Sequence, residues 1–356
     1  EISDDATLGR RGAVDVIHVG DSRHMTKVPD ATVALVVTSP PYFAGKEYET
    51  ALGEGHVPAD YIEYLEMLRD VFRESVRTLE PGGRIAVNVA NLGRKPYRNL
   101  AADVTTILQD DLRLLLRGEV VWQKQRGASG SCAWGSYQSP ANPVLRDTTE
   151  RLIIASKGRF DRVGRGGDGR GNDGESTIPG DEFMEATLDV WEIPAESATR
   201  VGHPAPFPVA LVERCLHLFT YRGDLVLDPF MGSGTTAVAA KRTGRHYVGY
   251  DTDRAYVRQA KDRIASLAPT ELPERRTIKE MARTLLADVG YETLDENVRI
   301  APGVTVSVRG TRSDGSTQLF EYGGVNTPSR PGVSRIESVW KTIAKAAILR
   351  EANDRE

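Results

Sequence analysis

The chain has 356 residues, 40% hydrophobic and 27% charged, with a formal net charge of −4. This is ordinary globular composition with room for two domains, and it excludes a wholly disordered or collagen-like chain. A net acidic balance means that any nucleic-acid surface must be local rather than a property of the whole molecule.

Residues 1–12 are polar. Val14 to Val19 reads as a strand ending at Gly20-Asp21, and Val33 to Val37 as a second, ending at Thr38-Ser39-Pro40-Pro41-Tyr42. The β-branched, unbroken apolarity of the second run suits a strand covered on both faces. A long helix follows: Tyr61, Leu65, Leu68, Phe72, Val76 and Leu79 recur at three and four residues, and Pro81-Gly82-Gly83 is expected to stop it. Residues 85–89, 120–122 and 152–155 read as further strands. Residues 157–180 break the rhythm with Lys157, Arg159, Arg162, Arg165 and Arg170 among glycines, and read as a flexible loop with no core of its own.

Beyond a Pro-rich turn at 203–208, an amphipathic helix is expected through Leu211 and Leu218. Then come a strand at 225–228, a tight loop at 229–234, a helix at 235–243 and a strand at 246–251. Strands alternating with helices predict a doubly wound α/β domain with a mainly parallel sheet. Pro269 and Pro273 mark a boundary. A small α+β appendage over 274–356 is expected after it, with a helix at 281–288, a hairpin pairing Val304–Val308 with Gln318–Tyr322, and a last helix carrying Ile336 to Ala347. No run of about 18 apolar residues exists, so no membrane span is expected. The charged N-terminus carries no secretory pattern, and a cytoplasmic location is expected. Cys132 and Cys215 cannot form a disulfide framework, and the scattered histidines show no metal-ligand spacing.

Two motifs carry chemistry. In Asp228 to Gly234 a strand runs into two glycines and then a helix, which lets a ligand approach the backbone at the carboxyl end of a parallel strand. Asp251 ends the next strand, 17 residues after Gly234, where a carboxylate can grip two ribose hydroxyls. A nicotinamide site usually has a third glycine where this chain has Ala237, which disfavours a dinucleotide oxidoreductase. In Ser39-Pro40-Pro41-Tyr42 the prolines remove two N–H donors and leave carbonyl acceptors beside a hydroxyl and a ring, a set suited to a planar amine.

Together the motifs resemble the DNA amino-methyltransferases, which methylate the exocyclic nitrogen of cytosine or adenine using S-adenosylmethionine. The family's (Asp/Asn/Ser)-Pro-Pro-(Tyr/Phe) stands here as Ser39-Pro40-Pro41-Tyr42, and its Phe-x-Gly-x-Gly as Phe230-Met231-Gly232-Ser233-Gly234. The catalytic motif precedes the donor loop, as in the permuted β arrangement. Gly20-Asp21 is similar to a strand-end Gly-Asp that reads the cofactor's adenine. His203-Pro204 resembles the His-Pro motif, with Phe207-Pro208 where Lys-Pro is usual. Thr149-Glu150-Arg151 resembles the start of the His-Glu stretch.

The resemblance implies a methyltransferase domain over 13–268, with a catalytic part (13–125), a target-recognition region (126–200) and a cofactor part (201–268). It implies Ser39, Pro40, Pro41 and Tyr42 as catalytic residues. For the cofactor it implies Asp21, His203, Pro204, Asp228, Phe230, Gly232, Gly234, Thr235 and Asp251. Double-stranded DNA is the implied partner. Arg126, Trp134 and Tyr137, in a polar-aromatic stretch of the recognition region, read either as base-edge contacts or as ordinary loop, and Arg159, Arg162 and Arg165 either as an arm on phosphate or as a solvated linker. A homodimer and a separate cognate restriction endonuclease are further implied partners. The serine form marks N4-cytosine methylation by base flipping. Adenine N6 methylation and a non-catalytic DNA-binding regulator are the alternatives. Cytosine C5 methylation, which needs a thiolate, is disfavoured by the surroundings of Cys132 and Cys215.

Overall fold

The computed structural model describes residues 2–41, 61–91, 97–124, 137–163 (apart from 139, 142, 144, 146 and 147), 174–195, 207–267 and 278–320 (apart from 302 and 303). The chain divides into two compact units, Glu1–Ile178 with Phe183–Leu272, and Pro179–Glu182 with Pro273–Glu356.

The strands of the first unit are β1 (Val16–Val19), β2 (Val33–Thr38), β3 (Leu79–Val89), β4 (Leu115–Gln123), β5 (Thr149–Ser156), β6 (Val190–Glu192), β7 (Leu225–Asp228) and β8 (His246–Asp251). They form one sheet in the order β1-β8-β7-β2-β3-β5-β4-β6. Every pairing is parallel except those made by β5, which runs against both β3 and β4.

Side chains alternate between the two faces, as the strand period of two requires. Leu35, Val37, Ala86, Leu152, Val226 and Tyr247 pack on one face with α4 (Val209–Phe219), α5 (Thr235–Thr243) and α6 (Arg254–Ala265). Val33, Val36, Ile85, Val87, Ile153, Leu227 and Val248 pack on the other with α1 (Tyr61–Thr78) and α2 (Leu100–Thr106), and a short α3 (Gly180–Ala186) precedes β6. All six residues of β2 are buried, because helices cover both sides of it. This is the doubly wound architecture that the alternating pattern predicts.

Two sequence expectations change. The helix α1 ends at Thr78, and Pro81-Gly82-Gly83 lies inside β3 rather than stopping the helix. The start of β3 is occupied instead by residues 157–163, which the composition read as a loop without a core. Gly82 N–H donates to the Lys157 carbonyl at 2.8 Å and Lys157 N–H to the Gly83 carbonyl at 3.0 Å. Gly82 has φ +74°, and a Cβ there would lie 1.9 Å from the Asp161 carbonyl oxygen, so glycine is what admits the segment.

In the second unit, α7 (Ile278–Asp288) precedes a three-stranded antiparallel sheet of β9 (Tyr291–Ala301), β10 (Val304–Arg312) and β11 (Thr317–Phe320), in the order β11-β10-β9. The expected hairpin forms with Val308 opposite Phe320; β9 was not anticipated. Leu286, Tyr291 and Val308 make a small core. The expected last helix lies outside the described residues. No described helix is long and apolar enough to cross a membrane.

Candidate functional site

In a doubly wound sheet, ligands bind beyond the carboxyl ends of the strands where the strand order reverses. Here that point lies between β7 and β2, since the chain leaves β7 toward β8 and leaves β2 toward β3. The two motifs follow these two strands, so the topology brings the Phe230–Gly234 loop and the Ser39–Pro41 turn to one crevice. Gly20-Asp21 after β1 and Asp251 at the end of β8 extend the same edge.

Asp228, the last residue of β7, is fully buried. Its Oδ1 accepts from Thr38 Oγ1 at 2.6 Å and from Phe230 N–H at 3.0 Å, and its Oδ2 accepts from Thr236 Oγ1 at 2.6 Å. Burial pushes its carboxyl up to about 6 against the pull of these three donors. The carboxylate therefore faces the protein on both oxygens, which differs from the cofactor contact that the family motif implies for it.

The donor loop is stitched to β8. Met231 N–H donates to the Tyr250 carbonyl at 2.9 Å, and Gly232 N–H donates to Asp251 Oδ2 at 2.8 Å. Asp251 Oδ1 accepts from Asp253 N–H at 2.8 Å. Burial raises the Asp251 carboxyl above its ordinary value, opposed by these N–H bonds. Each oxygen of a carboxylate has two lone pairs, so Asp251 can hold the loop and still accept from hydroxyls. Gly234, at φ +84°, is the N-cap of α5, and no side chain caps that end. A Cβ on Gly234 would lie 2.8 Å from Ala260 Cβ, so the glycine lets α6 close on the loop. An uncapped helix start, two glycines and an acid at the next strand end fit a ligand that carries both a carboxylate and a ribose. Thr235 is buried in the first turn of α5, and Phe230 packs against the α1 core.

Asp21 sits just beyond β1. Its Oδ1 accepts from Arg23 N–H at 2.9 Å and its Oδ2 from Arg23 Nε at 2.8 Å. Burial pushes this carboxyl up, but the bonds and charge of Arg23 outweigh it and leave the group below its ordinary value. Pro40 is buried, with Ser39 and Pro41 half-buried beside it. Tyr42, His203, Pro204, Arg126, Trp134 and Arg165 lie outside the described residues. Phe207, at the usual lysine position, is a core residue.

The arginine segment lies at the wrong end of the sheet for this site. Residues 157–163 line the start of β3, whereas the motifs lie at the carboxyl ends. Arg162 pairs with Glu80 at 2.5 Å and Asp224 at 2.7 Å, with its side chain 9% exposed. Its charge is thus committed to two buried carboxylates, which corrects its reading as a phosphate contact. Arg159 donates toward the Asp4 and Asp5 carbonyls, both at 3.5 Å. Tyr137 is 66% exposed. Cys215 is fully buried on α4, and burial pushes its thiol up to about 12, so this cysteine supplies no thiolate for C5 chemistry; Cys132 lies outside the described residues.

Thr38, which opens the Thr38–Tyr42 run, and Thr236 carry no role that the sequence alone assigns. The only signal for them is a hydroxyl flanking each motif, which is too common to single out without the fold. Glu150 stands at the start of β5, opposite the carboxyl end of β3, accepting from Asn88 Nδ2 at 2.5 Å and pairing with Lys124 at 3.1 Å.

Residues 33–262 match the family model of the N6/N4 methyltransferases, described as DNA methylase. The type II methyltransferase M.ScaI of Streptomyces caespitosus is 27% identical over 261 residues, covering 71% of this chain and 82% of its own. M.MthZI of Methanothermobacter thermautotrophicus is 28% identical over 272 residues, covering 70% and 76%. Among solved structures, a Thermus thermophilus protein assigned as a DNA modification methylase and complexed with S-adenosyl-L-methionine is 30% identical. Its TM-score is 0.55, over 72% of this chain and 94% of that one. The cytosine-N4-specific PvuII DNA methyltransferase matches at a TM-score of 0.54 and 18% identity, over 74% of this chain and 91% of its own, a likeness of fold alone.

Proposed function

The chain belongs to the N6/N4 DNA methylase family and is an S-adenosylmethionine-dependent DNA methyltransferase, and from that premise we propose that it methylates the exocyclic N4 of cytosine in double-stranded DNA. The observation that carries this reading is Ser39 in the catalytic tetrapeptide at the end of β2, across the crevice from the donor loop. A short neutral hydroxyl stands where the adenine form of the motif carries a carboxylate.

The residues divide the work as follows. Asp251 accepts from the ribose hydroxyls, the start of α5 with Gly232, Gly234 and Thr235 takes the carboxylate, and Asp21 faces the adenine. Phe230, His203 and Pro204 complete the cofactor side. S-adenosylmethionine supplies an electrophilic sulfonium methyl when bound. Ser39 Oγ and the Pro40 carbonyl accept the two N–H bonds of the target amine, which draws the nitrogen toward sp³ and aims its lone pair at the crevice. Pro41 holds this turn rigid, and Tyr42 stacks on the base. A base inside a duplex cannot reach this buried edge, so the target is flipped out of the stack. Positioning carries much of the barrier reduction, and no strong base is needed, because nitrogen sheds its proton after transfer.

DNA contacts are assigned to Arg126, Trp134 and Tyr137 in the recognition region; β5 and residues 157–163 of that region belong to the sheet scaffold. A type II setting fits the relatives' names; a separate endonuclease and a methyltransferase dimer are inferred from the family resemblance alone. Mass spectrometry of nucleosides from DNA methylated by the protein tests the base. N4-methylcytosine without N6-methyladenine is expected. N6-methyladenine alone would move the assignment to adenine, and neither base would favour the non-catalytic regulator.

A further inference from the structure

We propose that Asp228 is a positioning residue for methyl transfer, a brace that holds the end of β2, and with it Ser39, to the donor loop and to α5. Strand β2 pairs with β7 only at Leu35–Val226 and Val36–Leu227, whereas its pairing with β3 continues to Thr38–Val87. The backbone ladder between β2 and β7 therefore stops short of the crevice. The bond from Thr38 Oγ1 to Asp228 Oδ1, at 2.6 Å, bridges the two strands beyond that point.

The same carboxylate fixes both sides of the site. Through Phe230 N–H and Thr236 Oγ1 it holds the donor loop and the first turn of α5, and through Thr38 it holds the residue before Ser39. Three donors converge on a group that is 0% exposed, and among the described residues no cation pairs with it. A buried carboxylate with no cation beside it is expensive even when hydrogen-bonded. What a carboxylate adds is acceptors in fixed directions for all three donors. Ser39 must place its hydroxyl relative to a methyl held on the other side of the gap, so the brace sets the distance across which transfer occurs.

The inference rests on the methyltransferase reading, and its test separates the two. Thr38→Val removes the bridging bond while keeping a β-branched residue at the strand end, and Thr38→Ser restores it. Single-turnover transfer of labelled methyl to DNA is read without regard to the base. Affinity for S-adenosylhomocysteine is read by calorimetry. Thr38→Val is expected to slow transfer by ~10²-fold, the cost of a misplacement of about 1 Å, with cofactor affinity within about twofold. Thr38→Ser should recover most of the rate. A folded Thr38→Val with an undiminished rate, or one that loses cofactor affinity as much as rate, overturns the brace.

Hydrogen exchange gives a readout that needs no turnover. S-adenosylhomocysteine is expected to slow exchange over residues 33–39 in the wild type and to lose that effect in Thr38→Val. No slowing in the wild type also overturns the proposal. A wild type that transfers no methyl to any DNA refutes the methyltransferase reading instead, and the exchange result then still decides the brace.

Discussion

Asp228 shows how a single residue can oppose stability while serving the site. Burial raises its carboxyl to about 6 in the folded protein, above the ~3.9 of an unfolded chain, so the native state holds this proton more tightly. The stabilisation from this group is therefore complete below about pH 4 and lost as pH rises through about 6. Asp228→Asn removes the titration. Its melting temperature should gain on that of the wild type between about pH 4 and pH 7, and parallel curves would refute the assignment. Asp251 and Ser39 make a contrasting pair. Asp251→Ala should weaken S-adenosylmethionine binding by ~1.5–3 kcal/mol through lost charge-assisted hydrogen bonds; unchanged calorimetric affinity would remove it from the ribose. Ser39→Ala should leave that affinity intact and lower turnover by ~10²-fold, since it deletes one acceptor at a preorganised site. A variant that loses cofactor binding instead would place Ser39 on the wrong side of the crevice.

At the scale of elements, the segment after β5 does structural work that its composition conceals. Five basic residues among glycines look like a nucleic-acid arm, yet Arg162 is the partner of Glu80 and Asp224 beneath the sheet. Removing one member of a buried ion network leaves its partners charged and unpaired, at a cost of ~3–5 kcal/mol. Arg162→Ala should therefore unfold at markedly lower denaturant, with its DNA affinity unchanged wherever it remains folded. A stable variant with weakened DNA binding would restore the arm reading. Gly234 is the other local determinant. Its φ of +84° and the 2.8 Å approach of Ala260 to any Cβ make Gly234→Ala both strained and crowded, and its effect should appear first in the donor loop.

On the scale of the whole molecule, the protein carries a net charge of −4, so attraction to DNA must come from a local basic surface. Affinity should fall steeply with salt, with a slope that counts the phosphates neutralised. A flat salt response would point to contacts made without charge.

The local chemistry was legible in the residues themselves. The apolar runs marked β2, α1 and β8, and the two motifs marked the turns that follow β2 and β7, because short-range sterics and alternation act over a few residues. The α/β class followed from the order of these elements. The joining of the motifs was a tertiary outcome. It required the strand order to reverse between β7 and β2, and the bond between Thr38 and Asp228 spans 190 positions of sequence. The same holds for Arg162, since only the docking of residues 157–163 on β3 shows that its charge is already satisfied. Composition reports which charges a segment carries. Which of them water sees is decided by the chain that folds over them.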